Sequence, residues 1–228
     1  MVGYYSAHLQ AFLQTSDNEV LAQLQRAHAG EFRSTSDLAT IAWSDSLPQV
    51  RAGLLALADH PDAEAIQLVF EYKLPRLRSR ADLVVLHPGV AVVLEMKSGT
   101  SSSQVAEARV QAARYRQELK DFHEESRFIS LAPLAVGAGF PEHLEVADWT
   151  SPDVVPVGSV PFERLGHAIA AIIAQGRVKP ETEVDALAWI GSRYFPVPPI
   201  TQAITELFER REIGDIAHSQ AGQDEVEG

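Results

Sequence analysis

The sequence predicts an α/β fold, and three observations lead there. Three short, largely apolar runs lie between Ile66 and Lys97, each closed by a proline or a glycine turn. An amphipathic stretch from about residue 104 to 122 follows them, and a further apolar run covers residues 128–136. Runs of this length rich in Val, Leu and Ile suit strands, while apolar residues recurring every three or four positions suit a helix. With 228 residues, 46% of them hydrophobic, the chain can bury one good core, so one main domain is expected.

In chain order, residues 4–13 read as one or two amphipathic helical turns, and Asp17 caps a helix through Val20, Leu21, Leu24 and His28. Residues 34–37 open a second capped segment through Leu38, Ile41, Trp43, Leu47, Val50, Leu54 and Leu57. Pro48 interrupts that segment, which is either one helix or two, with the second starting near Ser46. Strands over 66–74, 81–86 and 90–97 form a meander, with a tight turn at His87-Pro88-Gly89. One of Ser101, Ser102 and Ser103 caps the long helix, whose apolar side is Val105, Ala108, Ala112, Tyr115, Leu119 and Phe122. A fourth strand over 128–136, a further one over 154–160 and a helix over 162–174 come next. The end reads as a short helix at 186–190, an extended proline-rich connector, a helix at 200–211 and disorder from Ser219.

Composition excludes several classes. No cysteine is present, so disulfides and thiolate metal sites are ruled out and any metal must be held by oxygen or imidazole. The first ten residues lack the basic and apolar regions of a signal peptide, and no stretch is long and apolar enough for a membrane span, so a cytoplasmic protein with no membrane partner is expected. The net charge of −12 is the wrong global sign for a protein that coats nucleic acid. Locally, however, Lys73, Arg76, Arg78 and Arg80 lead directly into Asp82, a basic patch beside an acidic site. That cluster reads either as a phosphate-facing surface or as a solvated strand edge. The eight histidines show no ligand spacing, and His123, ending the long helix, fits a cation that complements the helix dipole. Trp43, Trp149 and Trp189 are expected in the core.

The candidate chemistry sits in the second and third strands. Side chains alternate along a strand, so Glu95 and Lys97 share a face with Val93, while Leu94 and Met96 point the other way. Charges emerging from so apolar a sheet need a partner or a purpose. Asp82 and Glu95 on adjacent strands could supply hard oxygen ligands to Mg²⁺ or Mn²⁺, with Lys97 orienting an attacking water. A structural ion pair of Lys97 with Glu95 or Asp82 stands equally open at this point.

The order helix, three strands, helix, strand, the pattern Asp82…Glu95-x-Lys97, and Gln111 with Tyr115 on the following helix together resemble the PD-(D/E)xK nuclease superfamily, in its RecB-like branch. The resemblance implies a restriction endonuclease-like core: a mixed sheet flanked by helices, with extra N- and C-terminal helices. It further implies that Asp82 and Glu95 are metal ligands, Lys97 the catalytic lysine, and Gln111 and Tyr115 supporting or DNA-facing residues. Their i, i+4 spacing puts those two on one helix face. Asp45, with Asp37 behind it, matches an acidic residue that many relatives add from the first core helix. Glu71, expected to share a face with Val69 and Lys73, either joins the ligands or pairs with a neighbouring cation. The proline of the superfamily's name is replaced by Ala81. Several runs, among them residues 42–48, 70–75 and 94–97, also resemble the N-terminal region of bacterial proteins in which a nuclease-like domain precedes a Schlafen-type P-loop ATPase or helicase. No G-x₄-G-K-[ST] motif occurs in this chain, which is therefore either an excised fragment or a stand-alone nuclease.

The expected organisation is a helical extension over 1–33, a nuclease-like domain over 34–176, a helical connector over 177–218 and an acidic tail over 219–228. The expected function is metal-dependent phosphodiester cleavage, of DNA ahead of RNA, with Lys73, Arg76, Arg78, Arg80 and Arg114 on substrate phosphates and an ATPase or helicase partner in cis or in trans. The alternative is a catalytically silent nucleic-acid-binding or scaffolding domain with the same fold.

Overall fold

The computed structural model describes residues 3–32, 37–127, 129–145, 147–151, 155–176 and 185–195. Contacts divide the chain between Tyr194 and Phe195, so all described residues but Phe195 belong to the first compact unit, which runs past the expected boundary at 176. The expected helix over 200–211 and the tail from Ser219 lie outside the described residues.

The fold is α/β: a six-stranded mixed sheet flanked by helices. The strands are β1 (Tyr5–His8), β2 (Gln67–Leu74), β3 (Ser79–His87), β4 (Val90–Lys97), β5 (Ser130–Gly137) and β6 (Gly158–Val160), in that spatial order. The first four are antiparallel neighbours; β5 runs parallel to β4, and β6 parallel to β5. A parallel neighbour requires a crossover, and α4 (Ser102–Phe122) supplies it between β4 and β5. Ser101 starts that helix through a capping box, exchanging side-chain and backbone hydrogen bonds with Gln104. Helices α1 (Leu9–Gln14), α2 (Asp17–Phe32), α3 (Asp37–Leu54) and α5 (Leu165–Gly176) bury Phe12, Leu24, Val50, Ile169 and their neighbours against one face. On the other face, Tyr115 and Leu119 of α4 and Trp189 of α6 (Ala186–Ile190) pack on Val69, Val84, Ala91 and Val93.

The N-terminal stretch corrects the helical expectation. Residues 5–8 form a strand, not a helix, in register with residues 70–67 of β2. The open edge of β2 offers ladder hydrogen bonds, and the Tyr5 ring packs 5.8 Å from that of Phe70; these outweigh a helical pattern only one turn long. Pro48 lies inside an unbroken α3, which settles the choice between one helix and two. The donor that proline lacks falls opposite Ser44, which is exposed, so water can take up the freed carbonyl.

The feature that positions the site is a turnover in the β2–β3 ribbon. Phe70 pairs with Leu83 and Tyr72 with Ala81, yet Phe70 and Leu83 join the core on one face while Tyr72 and Ala81 join the core on the other. Residues two apart on a regular strand share a face. Here they do not, because the chain twists at the intervening Glu71, whose φ is 55°. Val69 and Lys73 therefore lie on opposite faces, contrary to the expectation of a regular strand: Val69 packs with the α4 side, whereas Lys73 reaches Glu31 of α2.

Where α4 ends, His123 is fully buried between Tyr72, Trp189 and Tyr194, with Tyr72 Oη at 3.0 Å and Ser126 Oγ at 2.7 Å. Burial pushes its pKa down to about 4, so it is a neutral core residue and not the dipole-complementing cation expected. The helix-end position was read correctly, but the packing of α6 over it was not visible.

Two predictions follow from this packing. A histidine whose folded pKa is depressed takes up protons first in the unfolded state, so stability falls as pH drops through the window from about 6.5 to about 4. Denaturant unfolding across that window should show a loss on the order of 3 kcal/mol in the native chain that is missing from His123→Gln. At the contact between α3 and α5, a methyl on Gly53 would stand 2.2 Å from the Phe162 carbonyl oxygen, and one on Gly166 2.6 Å from that of Gly53. Gly53→Ala, ordinarily a gain of about 1 kcal/mol inside a helix, should instead cost about 1–3 kcal/mol in urea unfolding.

Candidate functional site

The turnover puts Glu71 and Asp82 opposite one another, in the gap between the pairs Phe70–Leu83 and Tyr72–Ala81. The β3–β4 ladder also stops at Leu83–Leu94. Beyond that point Asp82 Oδ2 accepts the Met96 backbone N–H at 2.6 Å, a side chain standing in for the missing ladder bond. Glu95 and Lys97, past the same break, remain paired to β5 at Ala135 and Gly137. Strand alternation delivers them to one face as expected: Lys97 Nζ is 3.0 Å from Glu95 Oε1 and 3.2 Å from Glu107 Oε1 of α4. Leu94, and with it Met96, pack into the opposite core.

Glu71, Asp82 and Lys97 line one cavity of about 240 Å³ with Trp43, Ser46 and Gln49 of α3. Glu95 is buried beside it, whereas Glu71 and Asp82 are half-buried. Removal from water holds the Asp82 carboxyl well above the usual carboxylate range, and the negative charges of Glu95 and Glu71 add to that. Glu71 is likewise raised, first by burial and then by Glu95, against the Trp43 Nε1–H that donates to its Oε1 at 2.7 Å. Glu95 is raised by burial despite the Lys97 ammonium beside it. For Lys97, burial acts to lower the pKa, but its contacts with Glu95 and then Glu107 outweigh that and raise it. The three carboxyls destabilise one another's charge, opposed by the Lys97 ammonium at Glu95 and Asp82 and by the Arg80 guanidinium at Glu71.

Of the two helix residues, Tyr115 is buried near Glu95, and its own pKa is raised by burial and by the charges of Glu95 and Asp82. Gln111, one turn earlier, has a buried Oε1 with no hydrogen-bond partner among the described residues. Asp45 is exposed on α3 and does not line the cavity, although Ser46 and Gln49 do; the side chain of Asp37 lies outside the described residues. The basic residues divide. Arg76 pairs with Glu118 at 3.9 Å and lies over the Phe122 ring at 3.5 Å, while Lys73 and Arg80 both pair with Glu31. Arg78, at a φ of 50°, and Arg114 are exposed and have no ion pair among the described residues.

Carboxyl oxygens are the ligand type that hard divalent cations take. Glu95 Oε2 is buried without a hydrogen-bond partner among the described residues, and Asp82 and Glu71 add further carboxyl oxygens. As they stand, however, no group of three or more His, Asp or Glu side chains among the described residues is placed to hold a metal ion. Two participants escaped the sequence reading. Trp43 was assigned to the core, where it is, but its indole N–H also fixes Glu71. Glu31 was not singled out, because a lone glutamate forty residues before its partners carries no local signal.

A scan of family models, a search of curated proteins and a search of solved structures returned no match to this chain. No helix among the described residues is long and apolar enough to cross a membrane.

Removing one of the mutually repelling charges should relax the site. A carboxyl whose folded pKa is raised loses stability as pH rises through that pKa. Asp82→Asn keeps an acceptor for the Met96 N–H and should therefore stabilise the metal-free protein by about 1–3 kcal/mol in denaturant unfolding, the gain growing with pH. A structural ion pair at this position would give the opposite sign.

Proposed function

We propose that the chain is a divalent-metal-dependent nuclease on a restriction endonuclease-like core, acting on DNA ahead of RNA in a cytoplasmic setting. The observation that carries this reading is the convergence of Glu71, Asp82 and Glu95 around Lys97 where two strand ladders break. Asp82 and Glu95, with Glu71 beside them, would hold Mg²⁺ or Mn²⁺, the ion that polarises a phosphate and lowers the pKa of water.

The chain's own residues divide the remaining work. Lys97 sets an ammonium beside the carboxylates, where it orients the attacking water and stabilises charge developing on the phosphate. Its second partner, Glu107, is exposed, so that ion pair is weak enough to yield to substrate. Tyr115 orients Glu95 from α4, with Gln111 one turn away. Arg78 and Arg114 are the cations open to backbone phosphates. An ATPase or helicase, in cis or in trans, is the partner that would load the strand.

One observation favours the second reading, a silent nucleic-acid-binding or scaffolding domain: Lys97 is held on both sides by glutamates. The two readings separate on labelled single- and double-stranded DNA and RNA incubated with Mg²⁺ or Mn²⁺. The native chain should cut, and Lys97→Ala, Asp82→Asn and Glu95→Gln should each lose about 10²–10³-fold in rate. Equal cutting by Lys97→Ala sinks the assignment to this site, and binding without cleavage supports the silent domain.

A further inference from the structure

A second cavity of about 460 Å³ opens beside the first, lined by Glu31, Glu71, Lys73, Arg78 and Arg80, with Glu71 common to both. We propose that this cavity is a phosphate subsite for the strand being cut, and that Glu31 is its resident anion, displaced when a backbone phosphate enters. The inference rests on the nuclease reading for the identity of the strand, though not for the existence of the subsite.

Three donors hold Glu31. Its carboxylate accepts Lys73 Nζ at 2.9 Å and Tyr4 Oη at 3.1 Å, and closes an ion pair with the Arg80 guanidinium. Together the three donors present the forked, cationic arrangement that recognises a phosphate. Glu31 stands in the last described turn of α2, which carries no basic residue, and that is the end of a helix where a negative charge is disfavoured. The cavity's cations, rather than its own helix, keep the carboxylate there. The hydrogen bond from Lys73, followed by the bond and charge of Arg80, lowers its pKa to about 2 even against the desolvation it suffers, so it is an anion at any working pH.

Arg80 does not depend on Glu31 for its position. Its Nη1 donates to the Glu71 carbonyl at 2.6 Å, and the guanidinium lies 3.9 Å over the Tyr4 ring. When Glu31 leaves, a fixed guanidinium remains. Lys73 and Glu31 are both partly exposed, so their exchange for phosphate requires no opening of the core. Arg78 on the same cavity adds a cation that already lacks an ion pair among the described residues. Because Glu71 belongs to both cavities, a strand with one phosphate in this subsite runs directly to the carboxylates.

The test separates binding from cleavage. Anisotropy of a fluorescein-labelled single-stranded deoxyoligonucleotide is measured in EDTA across a salt series with the native chain, Glu31→Gln and Glu142→Gln; the last frees Arg164 from a comparable exposed pair outside both cavities. Glu31→Gln should bind roughly tenfold tighter, with a salt slope steeper by about one to two released ions. Glu142→Gln should stay within about twofold, and Lys73→Ala added to Glu31→Gln should cancel most of the gain. If circular dichroism shows Glu31→Gln unfolded, Glu31→Asp, which shortens the reach of the carboxylate, should give a smaller shift of the same sign. Binding by the Glu31 variant no tighter than by Glu142→Gln overturns the subsite. Tighter binding alongside absent metal-dependent cleavage removes the nuclease reading and keeps the subsite. Lys97-dependent cleavage with unchanged binding does the reverse.

Discussion

Much of the site depends on one hydrogen bond, from the Met96 backbone N–H to Asp82 Oδ2. Past Leu83 and Leu94 the β3–β4 ladder stops, and an N–H left unbonded there would cost more than most side-chain contacts gain. Asp82 supplies the acceptor, so β4 continues straight along β5 while β3 turns away with β2. The opening carries Asp82, Glu95 and Lys97 on its margins. The bond also lowers the energy of an Asp82 charge that burial and two neighbouring carboxyls raise.

Most of the architecture was legible because its signals are local. Val84–Val85 and Val90–Val93 are too apolar for anything but covered strands, and Ser101 with Gln104 announces the start of α4. The expected helix over residues 4–13 failed at its first half for the opposite reason: what decides β1 is the unfilled edge of β2, some sixty residues away. His123 shows the same limit. Its position at the helix end was readable, but its protonation state is set by Trp189 and Tyr194 from a later segment.

For the site, residue types at fixed spacing carried the reading as far as Asp82, Glu95, Lys97 and Tyr115, all of which meet through one sheet and one helix. Glu71 resisted because its orientation comes from a positive φ that no glycine announces. A glutamate in that conformation is strained by about 1 kcal/mol or more, and the surrounding Trp43 and Arg80 bonds over-determine it. The basic lead-in was visible as composition, but not its division into two residues already neutralised by Glu31, one packed on Phe122, and one left open. Net charge along the chain says nothing about which cations are occupied.

The sheet's two borders also bear on self-association. β1 is four residues long and β6 three, while the strands between them run eight or nine. Long apolar strands with free borders are templates for pairing with other chains. Here β1 covers Gln67–Phe70 of β2 and β6 covers Leu134–Val136 of β5, and β6 is itself capped by backbone bonds between His143 and Ser159. The four residues of β1 thus shield Gln67–Phe70 from intermolecular strand addition, so selection on their backbone pairing would act through self-association.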